Sequence, residues 1–395
     1  MKSQVIEGNN IDVLNTFPDD HFDSIVTDPP YGIDFLGKSW DANTGALETY
    51  QECLRVLKPG GHILAFSAAR TYHHLAVTIE QAGFEIRDQI MWIYSSGFPK
   101  SQDVGRSIQR SLGVEETKAQ KGYNGFGSEN GTAFTQDWDR GPEKNPKVIC
   151  TDPMAQRWEG WGTALKPAHE PIVMARKPIR LSIAKNCQQW GVGALNIDAG
   201  RIPTDEVIVC GAGNSDTFNK FNAENNTDGP GTGTKINVDV PKWTQADGGR
   251  FPSNVLGDIP DYQKYFYCPK VSRRERHMGF DTTNIATNPA GMYDADGTGQ
   301  QYNVTKKSGE VGNNHPTVKP IELMKYLIKL VTPPGGHVLD PFNGSGSTGC
   351  AAVELDYDYT GIELDARYVA IATKRIAAWY AETHATTFAE LFETC

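Results

Sequence analysis

The stretch Val338-Leu339-Asp340-Pro341-Phe342-Asn343-Gly344-Ser345-Gly346-Ser347-Thr348-Gly349 constrains the fold more than any other part of the chain. It reads as an apolar strand, a G-x-G turn and a helix start in direct succession. Glycines let a backbone approach a ligand closely, and the helix that follows presents unpaired N–H groups. Roughly 20 residues on, Thr360-Gly361-Ile362-Glu363 reads as a second strand ending in a carboxylate, the place of a ribose-binding acid in nucleotide-type Rossmann folds. A tight structural turn would carry the same glycines, but the acid at the second strand end favours an adenosine cofactor. Asp340 and Phe342 ahead of the turn suit S-adenosylmethionine, which is cationic at its sulfonium and ammonium groups. They suit a pyrophosphate less well.

The same alternation extends to both ends of the chain. Phe22–Thr27 is a short apolar run halted by Asp28-Pro29-Pro30. The spacing then predicts a helix over Thr44–Leu57 stopped by Lys58-Pro59-Gly60-Gly61, a strand at His62–Ser67, a helix over Thr71–Ala82 and a strand at Phe84–Tyr94. Towards the C-terminus it predicts helix Ile321–Val331, strand His337–Asp340, helix Ser347–Leu355, strand Tyr359–Glu363 and helix Arg367–Thr383. Strands alternating with helices predict an α/β fold with a parallel sheet covered on both faces. At 395 residues the chain exceeds what one core usually holds, and its middle differs in composition. Residues 101–314 carry 25 basic and 25 acidic side chains, so the two ends hold the whole net charge of −10. Both ends are therefore expected to build one sheet with the glycine-rich middle inserted between them.

Thr27-Asp28-Pro29-Pro30-Tyr31-Gly32 falls at the predicted C-terminal end of a strand, where open α/β sheets bind ligands. Two prolines hold the backbone extended and remove two N–H donors. What remains is a carboxylate, free carbonyls and an aromatic ring on a stiff loop, more than a mere turn requires. The set fits methylation of an exocyclic base amine, whose lone pair is delocalised into the ring. The Asp28 carboxylate and the Pro29 carbonyl could accept both N–H groups and favour the pyramidal nitrogen, while Tyr31 offers a stacking face for a flipped base.

Taken together, the chain resembles the DNA amino-methyltransferases (N6-adenine or N4-cytosine), specifically the permuted β class in which the catalytic motif precedes the cofactor motif, with phage and prophage members most alike. The resemblance rests on Thr27–Gly32, Ala168-His169-Glu170-Pro171-Ile172-Val173, His315-Pro316-Thr317-Val318-Lys319-Pro320, Asp340–Gly349 and Gly361–Asp365. Ser96–Lys100, Leu195–Asp198 and Tyr267–Arg276 fit the phage members. It implies a Rossmann-like S-adenosylmethionine-dependent methyltransferase sheet with an inserted target-recognition region. Residues 1–180 would form the catalytic part, with a loop insertion at 101–165. Residues 181–311 would recognise the target, and 312–395 would bind the cofactor.

It further implies roles. Asp28, Pro29, Pro30 and Tyr31 would form the catalytic loop. Asp340, Pro341, Phe342, Asn343, Gly344, Ser345, Gly346 and Thr348 would line the cofactor, Glu363 and Asp365 would hold its ribose side, and Thr317 and Lys319 its methionine end. Asn9 stands where the family usually places an acid near the adenine. Within the family, Asp-Pro-Pro-Tyr favours adenine and Ser-Pro-Pro favours cytosine, which leaves N4 methylation of cytosine as the alternative.

The implied partner is double-stranded DNA, with a homodimer and a cognate restriction enzyme left open. Because a net-acidic protein must concentrate positive charge to approach DNA, Lys270, Arg273, Arg274 and Arg276 are expected at phosphates. Lys38 and Trp40 are expected beside the displaced base. Seven scattered cysteines form no C-x-x-C and predict no metal site. Cytosine C5 chemistry would need a nucleophilic cysteine after proline, whereas here the order is Cys268-Pro269. A methyltransferase acting on RNA or glutamine would usually carry its motifs in the opposite order, and a non-catalytic DNA-binding protein remains the contrasting reading. No apolar stretch approaches the ~18 residues of a membrane span, and residues 1–30 lack a leader pattern, so a cytoplasmic location is expected.

Overall fold

The computed structural model describes residues 2–33, 43–94, 101–114, 148–202, 249–257, 271–280 and 312–392, and the short strands Thr117–Lys118, Val209–Cys210 and Trp243–Thr244. The chain divides into two compact units, Met1–Ser95 with His169–Cys395, and Ser96–Ala168.

The larger unit is built on an eight-stranded sheet. Its strands are β1 (Ser3–Glu7), β2 (Phe22–Thr27), β3 (Leu57–Phe66), β4 (Glu85–Ile93), β5 (His169–Arg176), β6 (Val255–Gly257), β7 (His337–Asp340) and β8 (Asp358–Glu363). They lie in the order β1-β8-β7-β2-β3-β5-β4-β6. Every residue of β2 is buried, as expected of a strand covered on both faces. Alternation then sorts the side chains. Val26, Leu64, Phe66, Val338 and Tyr359 join helices Ile321–Val331 and Ser347–Glu354 on one face. Ile25, Ile63, Ala65, Leu339 and Ile362 join helices Leu47–Val56 and Tyr72–Gln81 on the other.

Two expectations change. The sheet is not wholly parallel, because β5 runs antiparallel to both β3 and β4. The crossover from β3 through Tyr72–Gln81 lays β4 parallel to β3 but one position further out, and β5 fills the gap in the opposite sense. The helix predicted over Thr44–Leu57 stops at Val56, and Lys58-Pro59-Gly60-Gly61 is already strand. Proline's fixed φ suits an extended chain, and the Gly60 N–H donates to the Lys177 carbonyl at 3.1 Å.

Reversal of β5 has a consequence for chemistry. The parallel strands β2, β3, β7 and β8 end at one edge of the sheet, and β5 begins at that edge, with Ile172 opposite Phe66 and Glu170 opposite Trp92. The segment expected to recognise the target contributes β6, an edge strand parallel to β4.

The smaller unit contains helices Val104–Ser111 and Pro153–Arg157, each started by an aspartate cap, Asp103 and Asp152. Buried Gln109 accepts the Thr151 N–H at 2.6 Å and ties the second helix's approach to the first helix. Among the described residues, no helix is long and apolar enough to cross a membrane.

Candidate active site

Asp28 follows directly on β2 and is held from two sides. Its Oδ2 accepts from the Lys319 ammonium at 2.6 Å, and its Oδ1 lies 2.9 Å from the Tyr31 hydroxyl. The Tyr31 hydroxyl is also 2.9 Å from Glu170 Oε2 and accepts from Lys319 Nζ at 2.9 Å. One hydroxyl proton thus serves two carboxylates in turn, while the ammonium reaches both, its distance to Glu170 being 3.3 Å. Lys319 is 5% exposed and lies over the Phe66 ring, 4.8 Å from its centroid.

Burial alone would lower the Lys319 ammonium's pKa, but Asp28 and Glu170 more than offset it and hold it above the ordinary lysine value. Burial, followed by the same two carboxylates, pushes the Tyr31 phenol well above its usual range. Tyr94 also bonds Glu170 and is pushed up to about 12, chiefly by burial.

Beside this cluster lies the glycine turn. β2 and β7 are neighbours, and the Thr27 hydroxyl donates to Asp340 Oδ1 at 2.7 Å. Thr348 donates to Asp340 Oδ2 at 2.6 Å and the Phe342 N–H to Oδ1 at 3.1 Å, while burial pushes the carboxyl up to about 6. The Asn343 side chain turns inward and accepts the Tyr359 hydroxyl at 2.7 Å. Arg375, wholly buried, donates to the Ser345 carbonyl and to its hydroxyl at 3.1 Å. The side chains of Asp340, Asn343, Ser345 and Thr348 therefore hold the shape of the turn.

Gly344 and Gly346 sit at φ +52° and +79°, where L side chains are strained. The space that Gly346 leaves open is not the ligand approach expected of it. A Cβ there would meet Ala372 Cβ at 3.1 Å, so this glycine admits the helix Ala366–Phe392 rather than a ligand.

Glu363 ends β8 half-buried, its two oxygens accepting the Gly344 N–H at 2.8 Å and the Asp365 N–H at 2.9 Å. Burial raises its pKa. Leu364 next to it is 69% exposed, an apolar face without cover. Asp365 binds Arg367, which lowers its carboxyl to about 2. The Pro341 carbonyl accepts from Asn10 at 3.4 Å, and Phe342 packs against Tyr50 with ring centroids 6.4 Å apart. Asn9 caps helix Asn10–Leu14, its side chain accepting the Ile11 N–H at 2.9 Å.

These groups fit S-adenosylmethionine. Glu363 offers acceptors for a ribose diol, and Leu364 offers an apolar face for a purine. Arg375 is wholly buried with its terminal nitrogens on the Ser345 and Glu275 carbonyls, so it presents no charge to a phosphate.

The basic segment is split by the structure. Ser272 and Glu275 form a reciprocal cap for the short helix Arg273–His277. Arg273 and Arg274 are exposed, Arg274 in an ion pair with Glu382. Arg276, expected at phosphates with them, is half-buried and donates to the His315 carbonyl at 2.9 Å. His315 in turn bonds the half-buried Thr317 through Nδ1 and the Thr317 carbonyl, 2.6 Å apart, and burial lowers its pKa to about 4. Lys319, expected at the methionine end of the cofactor, has its ammonium on Asp28, Tyr31 and Glu170. Lys38, Trp40 and Lys270 lie outside the described residues.

Residue reading missed Glu170, because a parallel strand would have carried it to the far edge of the sheet. It also missed Arg375, whose position on a long helix gives no local signal.

Comparison with known proteins adds a family. The family described as DNA methylase, comprising N6 and N4 enzymes, matches residues 22–374. The type II methyltransferase M2.DpnII of Streptococcus pneumoniae is 41% identical over 75 residues, covering 19% of this chain and 28% of that protein. The type II methyltransferase M.HindIII of Haemophilus influenzae is 22% identical over 328 residues, covering 82% of this chain and 66% of that protein. The chain thus spans less than two thirds of the length of these curated relatives. Among solved structures, the cytosine-N4-specific PvuII DNA methyltransferase superposes with a TM-score of 0.44 at 13% identity, covering 97% of this chain and 93% of that one.

Proposed function

Because this chain belongs to the DNA methylase family, we propose that it transfers the methyl group of S-adenosylmethionine to the exocyclic N6 amine of adenine in double-stranded DNA. The observation that carries this reading is the adjacency of Asp28-Pro29-Pro30-Tyr31 to the glycine turn, joined by the Thr27–Asp340 hydrogen bond of 2.7 Å. An amine acceptor site and a methyl-donor site then share one sheet edge.

The cofactor supplies an electrophilic methyl on sulfur. The chain's own groups do the rest. A carboxylate has about four lone-pair sites. Lys319 and Tyr31 engage one on each Asp28 oxygen, which leaves acceptor capacity for an amine N–H. The Pro29 carbonyl would take the second N–H and hold the nitrogen pyramidal, its lone pair free towards the methyl that the cofactor would supply. The proton that the methylated amine must lose would pass through the Asp28 carboxylate to solvent. Acceptors fixed where positive charge develops stabilise the transition state without reorganisation.

A base within a duplex cannot reach this edge, so the reading includes flipping, with the Tyr31 ring as the surface against which the base rests. Arg273 and Arg274 are the phosphate contacts favoured by their exposure, while Arg276 braces the His315 segment. Lys38, Trp40 and Lys270 are proposed at DNA on the sequence alone.

The test is incubation of the full chain with unmethylated duplex and tritiated S-adenosylmethionine, followed by nuclease digestion and base analysis. N6-methyladenine is the expected product. Label in N4-methylcytosine would overturn the choice of base, and absence of transfer would overturn the activity.

A further inference from the structure

Two carboxylates share one buried ammonium beside the proposed amine site, and this pairing has a function that neither carboxylate has alone. We infer that Lys319 is a positioning residue for methyl transfer, and that its charge keeps Asp28 an ionised acceptor in the presence of Glu170. The inference rests on the reading of Asp28 as the amine acceptor.

The geometry is specific. Lys319 Nζ lies 2.6 Å from Asp28 Oδ2, 3.3 Å from Glu170 Oε2 and 2.9 Å from the Tyr31 oxygen. These contacts join the loop after β2, the start of β5 and the segment before helix Ile321–Val331. Other groups facing the cluster are few. Tyr94 bonds Glu170, and His315 and Asp340 lie within electrostatic reach of Asp28. His315 and Tyr94 are uncharged at neutral pH, because burial takes the imidazole down to about 4 and the phenol up to about 12. Lys319 is thus the cation in direct contact with both carboxylates.

Without the ammonium, the hydroxyl of Tyr31 would be shared by Asp28 and Glu170 with no cation beside it among the described residues. Two like charges sharing a buried site retain a proton, and their titration belongs to the pair. A protonated Asp28 loses acceptor capacity and can donate to the amine, which opposes the pyramidal geometry required for attack. With the ammonium in place the cluster carries one net negative charge, which suits a site where a nitrogen turns positive.

The test is the single-turnover rate of methyl transfer against pH, at saturating cofactor and duplex, in the full chain. The readout is the acid limb of that rate. Lys319→Gln should move that limb upward by about one pH unit or more, with loss of about tenfold at a pH on the foot of the shifted limb and recovery at higher pH. Glu170→Gln should move it the opposite way, because one repelling charge is gone. At a pH on the Lys319→Gln limb the double variant Lys319→Gln/Glu170→Gln should be faster than Lys319→Gln alone, and Lys319→Arg should keep the limb near its wild-type position.

Opposed shifts and a faster double variant cannot arise from loss of packing. A limb unmoved in both single variants, or a double variant no faster than Lys319→Gln, would overturn the inference. So would a collapse of S-adenosylmethionine affinity in Lys319→Gln on equilibrium dialysis, which would place Lys319 at the methionine end of the cofactor. Should Lys319→Gln not fold, the downward shift in Glu170→Gln and the preserved limb in Lys319→Arg decide the matter. A wild-type chain that methylates no DNA would instead overturn the reading beneath it, before any variant is compared.

Discussion

Asp28 is the residue on which the proposed chemistry turns, and its surroundings say what its loss should do. Its oxygens touch Lys319 and Tyr31, whereas the glycine turn is held by Asp340, Thr348, Asn343 and Arg375. Asp28→Ala should therefore lower methyl transfer by about 10²–10³-fold, the range seen when a preorganised transition-state contact is removed. Affinity for S-adenosylmethionine should change little by equilibrium dialysis. More than a few per cent of wild-type rate would remove Asp28 from the reaction. Residues of this kind are legible because the proline pair stiffens a loop at a strand end, a local signal. Glu170 is not, since nothing within His169-Glu170-Pro171 states which way its strand runs.

At the scale of elements, strand direction and helix facing decide which side chains meet. β5 brings Glu170 to the active edge only because it is antiparallel to both neighbours. The short helix Arg273–His277 is similarly partitioned. Arg276 turns to the His315 carbonyl, and Arg375 grips the Glu275 carbonyl, so the helix is fastened to the His315 segment and to the helix Ala366–Phe392. Arg273 and Arg274 remain exposed, Arg274 also pairing with Glu382 of the helix Ala366–Phe392. A run of four basic residues in seven does not by itself separate these roles, because a helix of five residues is too short for a periodic pattern. Replacing Arg273 and Arg274 by Ala should weaken binding of all duplexes alike and reduce the slope of log affinity against log salt by about 0.9 per lost phosphate contact. A salt titration on cognate and unrelated duplexes measures this. An unchanged slope would show that neither arginine meets phosphate.

The whole molecule responds to pH through groups that the sheet buries. Short apolar runs made β2, β3, β4, β7 and β8 readable in advance, whereas the two edge strands were not, β1 being half exposed and β6 only three residues long. Packing of those runs also takes in polar side chains whose ionisation is then coupled to folding. His62 in β3, His337 at the start of β7 and His315 at the site are each pushed down to about 4, in every case chiefly by burial. Between about 4 and the unfolded value of 6.5, the folded chain therefore holds fewer protons on these rings than the unfolded chain does. Stability drawn from them is complete above 6.5 and is lost as pH falls through that window. Asp340 acts in the opposite sense. Its carboxyl is raised from 3.8 to about 6, so the folded state binds the extra proton there and gains as pH falls between those values. One carboxyl opposes three imidazoles, and the upper part of the window, from 6.5 to about 6, is left to the histidines alone. The melting temperature should therefore be highest above pH 6.5 and decline as pH is lowered from 6.5 towards 4. His62→Gln should flatten part of that decline without touching the active edge, because His62 lies inside β3 opposite Ser24 and Arg176. Calorimetric scans across this range measure both effects. A melting temperature that rises on acidification would mean that the histidines do not dominate and that Asp340 does.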